Sequence, residues 1–405
     1  MDLLAFIFIL GFVTSKLACS NANRTPNSFN VLDYGAIGNN HTDDSNALLK
    51  AWNAACSSPV GTPKVIVPRN YAFLVNPVLF HGPCKARNID FVVSGIILAP
   101  NSPKVWNGCD ASQWLAFRGI TGLNVYGAGT IDGRGKDWWD QSCRHHPDLK
   151  GCIKLAPTAL KFLSCNKSRV RDVHFINSPQ THVLIMRCNG LHVSNVTIQS
   201  PGYSPNTDGI HIQSSHHLTI DDAKIGSGDD CVSIGDYTSD LQITNVECGP
   251  GHGISIGSLG KGGNFVRVEN IQVSNAFFKG TTNGARIKTW QVGKGYVRKV
   301  SFQNLKFDSV KNPLIIDQNY CNVRGQCKEL ETGVQVSDVV YKGLLGTSST
   351  AVAINVNCSP AMPCTGISME SITLTAADAG KRVVASCGNA RGIETAVLPR
   401  PCLRS

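Results

Sequence analysis

The chain is short of charge: Asp, Glu, Lys and Arg make up 16% of its 405 residues, against roughly a quarter in an ordinary soluble domain. So little charge excludes long solvated helices, and with 42% apolar residues the chain is no disordered segment either. Beyond residue 13 no apolar run approaches the ~20 residues that span a bilayer, which excludes a membrane helix in the body of the chain. No Cys-x-x-Cys occurs among the 16 cysteines, and Cys and His do not cluster at ligand spacing, which argues against structural zinc. The charge that is present leans to one sign, 38 Lys and Arg against 28 Asp and Glu, a formal +10. That balance points to a polyanionic partner, nucleic acid or an acidic polysaccharide.

Residues 3–13 form an apolar run of 11, too short to span a membrane, followed by small residues at Ala18, Ser20 and Ala22. This is the pattern of a secretory signal over residues 1–22, leaving 23–405 as one soluble, extracellular domain. Nucleic acid and membrane then drop out as partners. Sequons at Asn23, Asn40, Asn166, Asn195 and Asn357 agree with secretion. In an oxidising compartment the cysteines read as disulfides. Short-range pairs suggest themselves at Cys56 with Cys84, Cys143 with Cys152, Cys231 with Cys248, Cys321 with Cys327, Cys358 with Cys364 and Cys387 with Cys402, although spacing alone does not fix connectivity. Loss of Cys19 with the signal leaves 15, so one thiol is expected free, and Cys109 has no local mate.

A pattern apolar-x-apolar-x-Asn/Asp-apolar-x-apolar recurs at least seven times, centred on Asp172, Asn195, Asp222, Asn245, Asn270, Asn304 and Asp338. The centres are 23, 27, 23, 25, 34 and 34 residues apart. Alternation on either side marks strands, and Asn or Asp between them tolerates a turn backbone. Units this short cannot bury a face alone and must stack, which predicts an all-β solenoid, a parallel β-helix. A solenoid needs its ends capped. Residues 40–56 read as a helix capped by Thr42 or Asp43, with Leu48, Leu49, Trp52 and Ala55 on one side, and this is the expected N-terminal plug.

Between the repeats lie four related pieces, Asp208-Gly-Ile-His-Ile212, Asp230-Cys-Val-Ser-Ile234, His252-Gly-Ile-Ser-Ile256 and Asn283-Gly-Ala-Arg-Ile287. Lined up, they put the four isoleucines at one inward position and stack Asp208, Asp230 and His252 on successive coils, about 4.8 Å apart. Asp229 leaves its turn in another direction, while Arg286 and Lys288, two residues apart, share an outer face. Taken singly, each has a structural reading: an Asp at a turn bonds its own backbone, a His between glycines is a tolerated turn residue, and a Lys is a solvated charge. Together, three crowded carboxylates force at least one carboxyl pKa upward, which is how a general acid stays protonated. Glycoside hydrolysis needs such an acid beside an ionised carboxylate, and the cations suit an acidic sugar.

At these residues the chain resembles the plant polygalacturonases of glycoside hydrolase family 28. The matching motifs are Asn206-Thr207-Asp208, Gly228-Asp229-Asp230, Gly251-His252-Gly253, Arg286-Ile287-Lys288 and Asp317-Gln318-Asn319-Tyr320, and the likeness runs from about Phe29 to the C-terminal cysteines. Gly228 stands where fungal members usually carry Gln. The resemblance implies a right-handed parallel β-helix and secretion to the cell wall. It implies hydrolysis of de-esterified homogalacturonan with inversion, with no cofactor or metal, by a monomer. It further implies Asp229 as general acid, Asp208 and Asp230 as the pair that activates water, His252 tuning the acid, and Asn206, Arg286, Lys288 and Tyr320 binding galacturonate. Stacking at about 5 Å is the separation the general rule gives to retaining enzymes, and the family's inversion overrides it. Short, even coils favour internal cleavage over attack from chain ends. The other readings are a pectate lyase, which would need calcium, and a catalytically silent pectin-binding protein.

Overall fold

The structure, a computed structural model, describes residues 27–321, 327 and 330–404. The expected signal over residues 1–22, with Cys19 and the sequon at Asn23, lies outside the described residues. Nearly every element is a short strand, and every named strand pairing is parallel to its partner in the next coil, giving one sheet of 20 strands and one of 11. The chain is thus a parallel β-helix, as the repeat predicts. Among the described residues no helix is long and apolar enough to cross a membrane.

All seven repeat centres adopt the left-handed backbone, with φ between 46° and 57°, which Asn and Asp enter more readily than other residues. They do not, however, form one column. Asp172, Asn195, Asp222, Asn245 and Asn304 share a corner of the coil, with Asn275 between the last two. Asn270 and Asp338 belong to the preceding corner, aligned with Asp240 and Lys299. Both corners have the same local chemistry, so the sequence pattern locked onto either. Side-chain amides reach from coil to coil along each corner: Asn195 donates to Asp172 (2.8 Å), Asn245 to Asp222 (3.1 Å) and Asn270 to Asp240 (2.9 Å).

Inside, like residues stack in columns. Val193, Ile220, Ile243, Val273, Phe302 and Tyr341 are in register on one face, and Ile185, Ile212, Ile234, Ile256, Ile287 and Ile316 on the 11-stranded sheet, all but sealed from water. Each such aliphatic side chain contributes roughly 1.5–3 kcal/mol of hydrophobic stabilisation.

The plug helix is present but starts later than expected, at Ser45–Ser57, because Asn39–Asp43 pair as a strand with the next coil. Asp43 still serves the helix start by accepting the Ser45 amide at 3.0 Å. Asp44, next to it, binds the amides of Ile37 and Gly38. The buried stripe is Leu48, Ala51, Trp52 and Ala55, with Leu49 only half-buried. Trp52 covers Phe80 and Phe117, its ring 5.4 Å from each, and donates to the His81 carbonyl at 3.0 Å.

All six expected disulfides form. Among the described residues three thiols are free: Cys109, free as expected and exposed, and Cys165 and Cys188, both buried. The single-free-thiol expectation fails because Cys165 and Cys188 point into the core from neighbouring coils, where the Cys165 amide donates to the Cys188 sulfur at 3.4 Å. Burial pushes the Cys188 thiol up to about 12 and raises Cys165 as well, so both pack as inert apolar groups.

Candidate active site

On the outer side of the 11-stranded sheet, strands Ile210–Gln213, Val232–Ile234, Ile254–Leu259, Asn283–Trp290 and Asn312–Tyr320 lie side by side. The register that buries the isoleucine column turns His211, Ser233, Ser255 and Arg286 outward as one row. The turns entering the first three strands deliver Asp208, Asp229 with Asp230, and His252.

Close backbone contact fixes these turns. At Gly228 a Cβ would lie 1.9 Å from the Ser204 carbonyl oxygen, so residues 201–207 press directly on the turn before Asp229. The buried Thr207 hydroxyl holds the same contact by accepting the Gly228 amide at 3.0 Å, and lies 2.6 Å from Ser204 Oγ. After His252, Gly253 has a φ of 89°, and a Cβ there would meet the Asn283 carbonyl at 2.3 Å. Below Asp208, the fully buried His182 lies 3.0 Å through Nδ1 from the Asp208 carbonyl and 2.8 Å through Nε2 from Ser200 Oγ. Burial pulls His182 down to about 4, so it is neutral.

Asp230 is central and 2% exposed. Its Oδ1 accepts the Ser255 hydroxyl at 2.7 Å and its Oδ2 the Lys288 ammonium at 2.9 Å. Arg286 Nη2 stands 3.8 Å from Asp230 Oδ1, beyond hydrogen-bond reach, and its buried Nε has no partner. Of the two expected sugar-binding cations, Lys288 is therefore engaged with Asp230, while Arg286 retains unsatisfied donors. Tyr320 flanks Lys288, its ring centre 5.7 Å from Nζ, and packs edge-on against Trp290.

Asp229 accepts the Asp230 amide at 2.8 Å through Oδ1, which also lies 3.0 Å from His252 Nδ1, while exposed Asn206 reaches Oδ2 at 3.5 Å. Asp208 accepts the Ser233 hydroxyl at 2.6 Å, and Ser233 in turn lies 2.7 Å from His211 Nδ1. All eight expected site residues thus gather on one stretch of surface.

The crowding expected to raise a carboxyl pKa does so at Asp208. Burial lifts it well above the usual carboxylate range, with the charges of Asp229 and Asp230 adding, against the Ser233 hydrogen bond and Lys288. Burial also raises Asp229, but the His252 hydrogen bond and charge, with Lys288 and the Asp230 amide, outweigh it and leave Asp229 below the usual range. The carboxyl that resists ionisation is therefore Asp208, whereas the sequence reading expected the retained proton on Asp229; the His252 and Lys288 contacts to Asp229 make the difference.

Asp229, Asp230 and His252 bring potential metal-ligand atoms within 4.8 Å of one another. Lys288, Ser255 and the Asp229–His252 contact already engage most of those atoms, so the chemistry of the set suits proton transfer better than ion binding. The sequence reading missed His211, Ser233 and Ser255. The signal was present: His, Ser, Ser and Arg fill the fourth place of the four aligned pieces, a polar outward row beside the isoleucine column.

Comparison with known proteins agrees with this geometry. The profile of Glycosyl hydrolases family 28 matches residues 56–396. The chain is 41% identical over 366 residues to a polygalacturonase of Malus domestica, covering 90% of this chain and 78% of that one. It is 42% identical over 360 residues to polygalacturonase-2 of Solanum lycopersicum, covering 89% and 77%. Among solved structures, an endo-xylogalacturonan hydrolase from Aspergillus tubingensis superposes with a TM-score of 0.77 at 24% identity, over 91% of this chain and 98% of that one. An exopolygalacturonase from Thermotoga maritima does so with 0.72 at 21%, over 87% and 88%. These two establish the fold alone. The family profile, the two plant relatives and the coil architecture converge: the chain belongs to glycosyl hydrolases family 28.

Proposed function

We propose that the protein is a polygalacturonase, hydrolysing α-1,4-galacturonosyl linkages of de-esterified pectin in the cell wall, with inversion and as a secreted, glycosylated monomer. The observation that carries the reading is the coexistence, on one outer face, of three carboxylates in unequal protonation environments with an arginine whose donors are unsatisfied. Asp229, 3.0 Å from His252 Nδ1, delivers the proton to the glycosidic oxygen. Asp208 and Asp230 hold water on the other side of the bond, and the water's proton goes to Asp208, the carboxyl with the higher proton affinity. Arg286 takes the sugar carboxylate by its planar fork, with Tyr320 and Asn206 beside it, and Lys288 joins from its station on Asp230.

Internal cleavage is favoured because the outer row runs on past the catalytic strands in both directions. Leu184 lies on one side and Ile315 and Asn355 on the other, all partly exposed.

The test is hydrolysis of polygalacturonate by the wild type and by Asp229→Asn, with excess chelator and with ultraviolet detection of unsaturated uronides. Reducing ends formed by the wild type despite chelator, no ultraviolet product, and loss of all but a few per cent of the rate in Asp229→Asn support the reading. Chelator inhibition with unsaturated product would make the protein a lyase, and binding without turnover would make it a pectin-binding protein.

A further inference from the structure

The chain His211–Ser233–Asp208 has no part in the mechanism so far. Ser233 Oγ lies 2.6 Å from Asp208 Oδ2 and 2.7 Å from His211 Nδ1. Ser233 is 2% exposed and His211 half-buried, so water does not take over these contacts freely. A serine hydroxyl carries one proton. In the ionised form that Asp208 needs to act as base it can only accept, so Ser233 then donates to Asp208 and must itself receive from His211. The imidazole is then the Nδ1–H tautomer, directed as Nδ1–H to Oγ and Oγ–H to Oδ2. Burial pulls His211 down to about 4, consistent with a neutral ring. Among the described residues no hydrogen bond reaches Asp208 Oδ1, which leaves that oxygen for the reacting water.

We propose that His211 is a positioning residue for the water-activating carboxylate: acting through Ser233, it fixes which Asp208 oxygen is tied to the sheet and which faces the water. The proposal rests on Asp208 serving as base in the reading above. It assigns a task to a residue outside the motif positions carried over from the family, and it explains why the outward row opens with a histidine and a serine on adjacent coils. The charged groups facing this chain are Asp230 and Lys288 toward His211, and Asp229, Asp230 and Lys288 toward Asp208, with Arg286 and His252 behind them. Loss of the Ser233 hydrogen bond removes an interaction that favours ionised Asp208. The base then ionises only at higher pH.

The experiment compares kcat and KM on polygalacturonate across pH for the wild type, His211→Leu, His211→Asn, Ser233→Ala and the double variant His211→Leu/Ser233→Ala. Asn places an amide donor near the position of Nδ1, and Leu does not. The expected result is a tenfold or greater fall in kcat for His211→Leu and Ser233→Ala, with KM within twofold. The acidic limb of kcat should move to higher pH, Asn should recover most of the loss, and the double variant should be no worse than the poorer single one. A raised KM with kcat unchanged would make His211 a sugar contact and overturn the proposal, as would Asn and Leu behaving alike. Ser233→Ala, the smaller change, keeps the test open should His211→Leu fail to fold. Failure of the underlying reading is separate, since it appears as a wild type that does not hydrolyse polygalacturonate or an Asp208→Asn variant with full activity.

Discussion

The Lys288 ammonium lies 2.9 Å from Asp230 Oδ2, and side-chain exposure is 9% for the lysine and 2% for the aspartate. A charge on the turn entering Val232–Ile234 and one on Asn283–Trp290, strands that are not neighbours in the sheet, are joined out of water, so the pair ties two coils together across the one between them.

Lys288→Ala should therefore damage more than sugar binding. Removing one member of a buried pair leaves the other charge uncompensated, at a cost of about 3–5 kcal/mol. Calorimetry at neutral pH should show a lower Tm, and kinetics a lower kcat together with a raised KM. A rise in KM alone, with Tm unchanged, would return Lys288 to the simple role of substrate contact.

Asp208→Asn should abolish hydrolysis and yet stabilise the fold. The native carboxyl holds its proton more tightly than the unfolded one, so wild-type stability declines as pH rises from the ordinary carboxylate range through the raised native value. The asparagine has no charge to bury. Its Tm should exceed that of the wild type at neutral pH, with the gap closing in acid.

His182 should contribute to the opposite slope, together with His211, which burial draws down equally far. The native pKa of His182 is drawn from 6.5 to about 4, so the neutral ring adds stability that is full above about pH 6.5 and is lost as pH falls toward 4. At ~1.4 kcal/mol per pKa unit the difference is about 3 kcal/mol. Denaturation by urea at a series of pH values should show this slope in the wild type and a flatter one in His182→Gln.

Gly228→Ala places a methyl 1.9 Å from the Ser204 carbonyl oxygen, and backbone cannot rotate aside as a side chain can. Residues 201–207 must lift from the turn before Asp229. Turnover should fall at least tenfold with an unchanged far-ultraviolet spectrum, and wild-type activity would show that the loop adapts freely.

Internal cutting should drop the viscosity of polygalacturonate well before many reducing ends accumulate. Release of monogalacturonate with viscosity nearly constant would mean that one end of the groove is closed. Along the corner shared by Asp172 and Asn304 the coils are longest from Ala128 to Asp172 and from Asn304 to Gly343, one on each side of the catalytic strands, so either insertion is a place to look for such a wall.

The coil architecture was legible because two physical periodicities coincide: alternation of side chains along each strand and recurrence of a residue that tolerates positive φ at each corner. That same generality hid the register. Asn270 and Asp338 satisfy the pattern as well as Asn304 does, and only pairing between coils separates the two corners. The site was legible where its groups are chemically uncommon, in adjacent Asp229 and Asp230, in His252 between glycines and in Arg286 with Lys288. It was illegible where ordinary residues act through partners distant in sequence: Ser233 looks like any strand serine until His211 and Asp208 flank it, and the Lys288–Asp230 pair bridges 58 positions. The distribution of protons between Asp208 and Asp229 depends on which of them faces His252, a matter of side-chain direction that spacing does not carry.

Each coil of this molecule rests only on the one before and the one after, so disorder has two places to begin, and both are clasped. Near the N-terminal end Cys56–Cys84 ties the plug helix to the coil it covers, and near the C-terminal end Cys387–Cys402 ties the last strands to the tail. The fold behaves as a zipper with a catch at each extremity. Reductant should fray it progressively from the ends, and the catalytic coils, deep in the stack and carrying Cys231–Cys248 of their own, should be the last teeth to part.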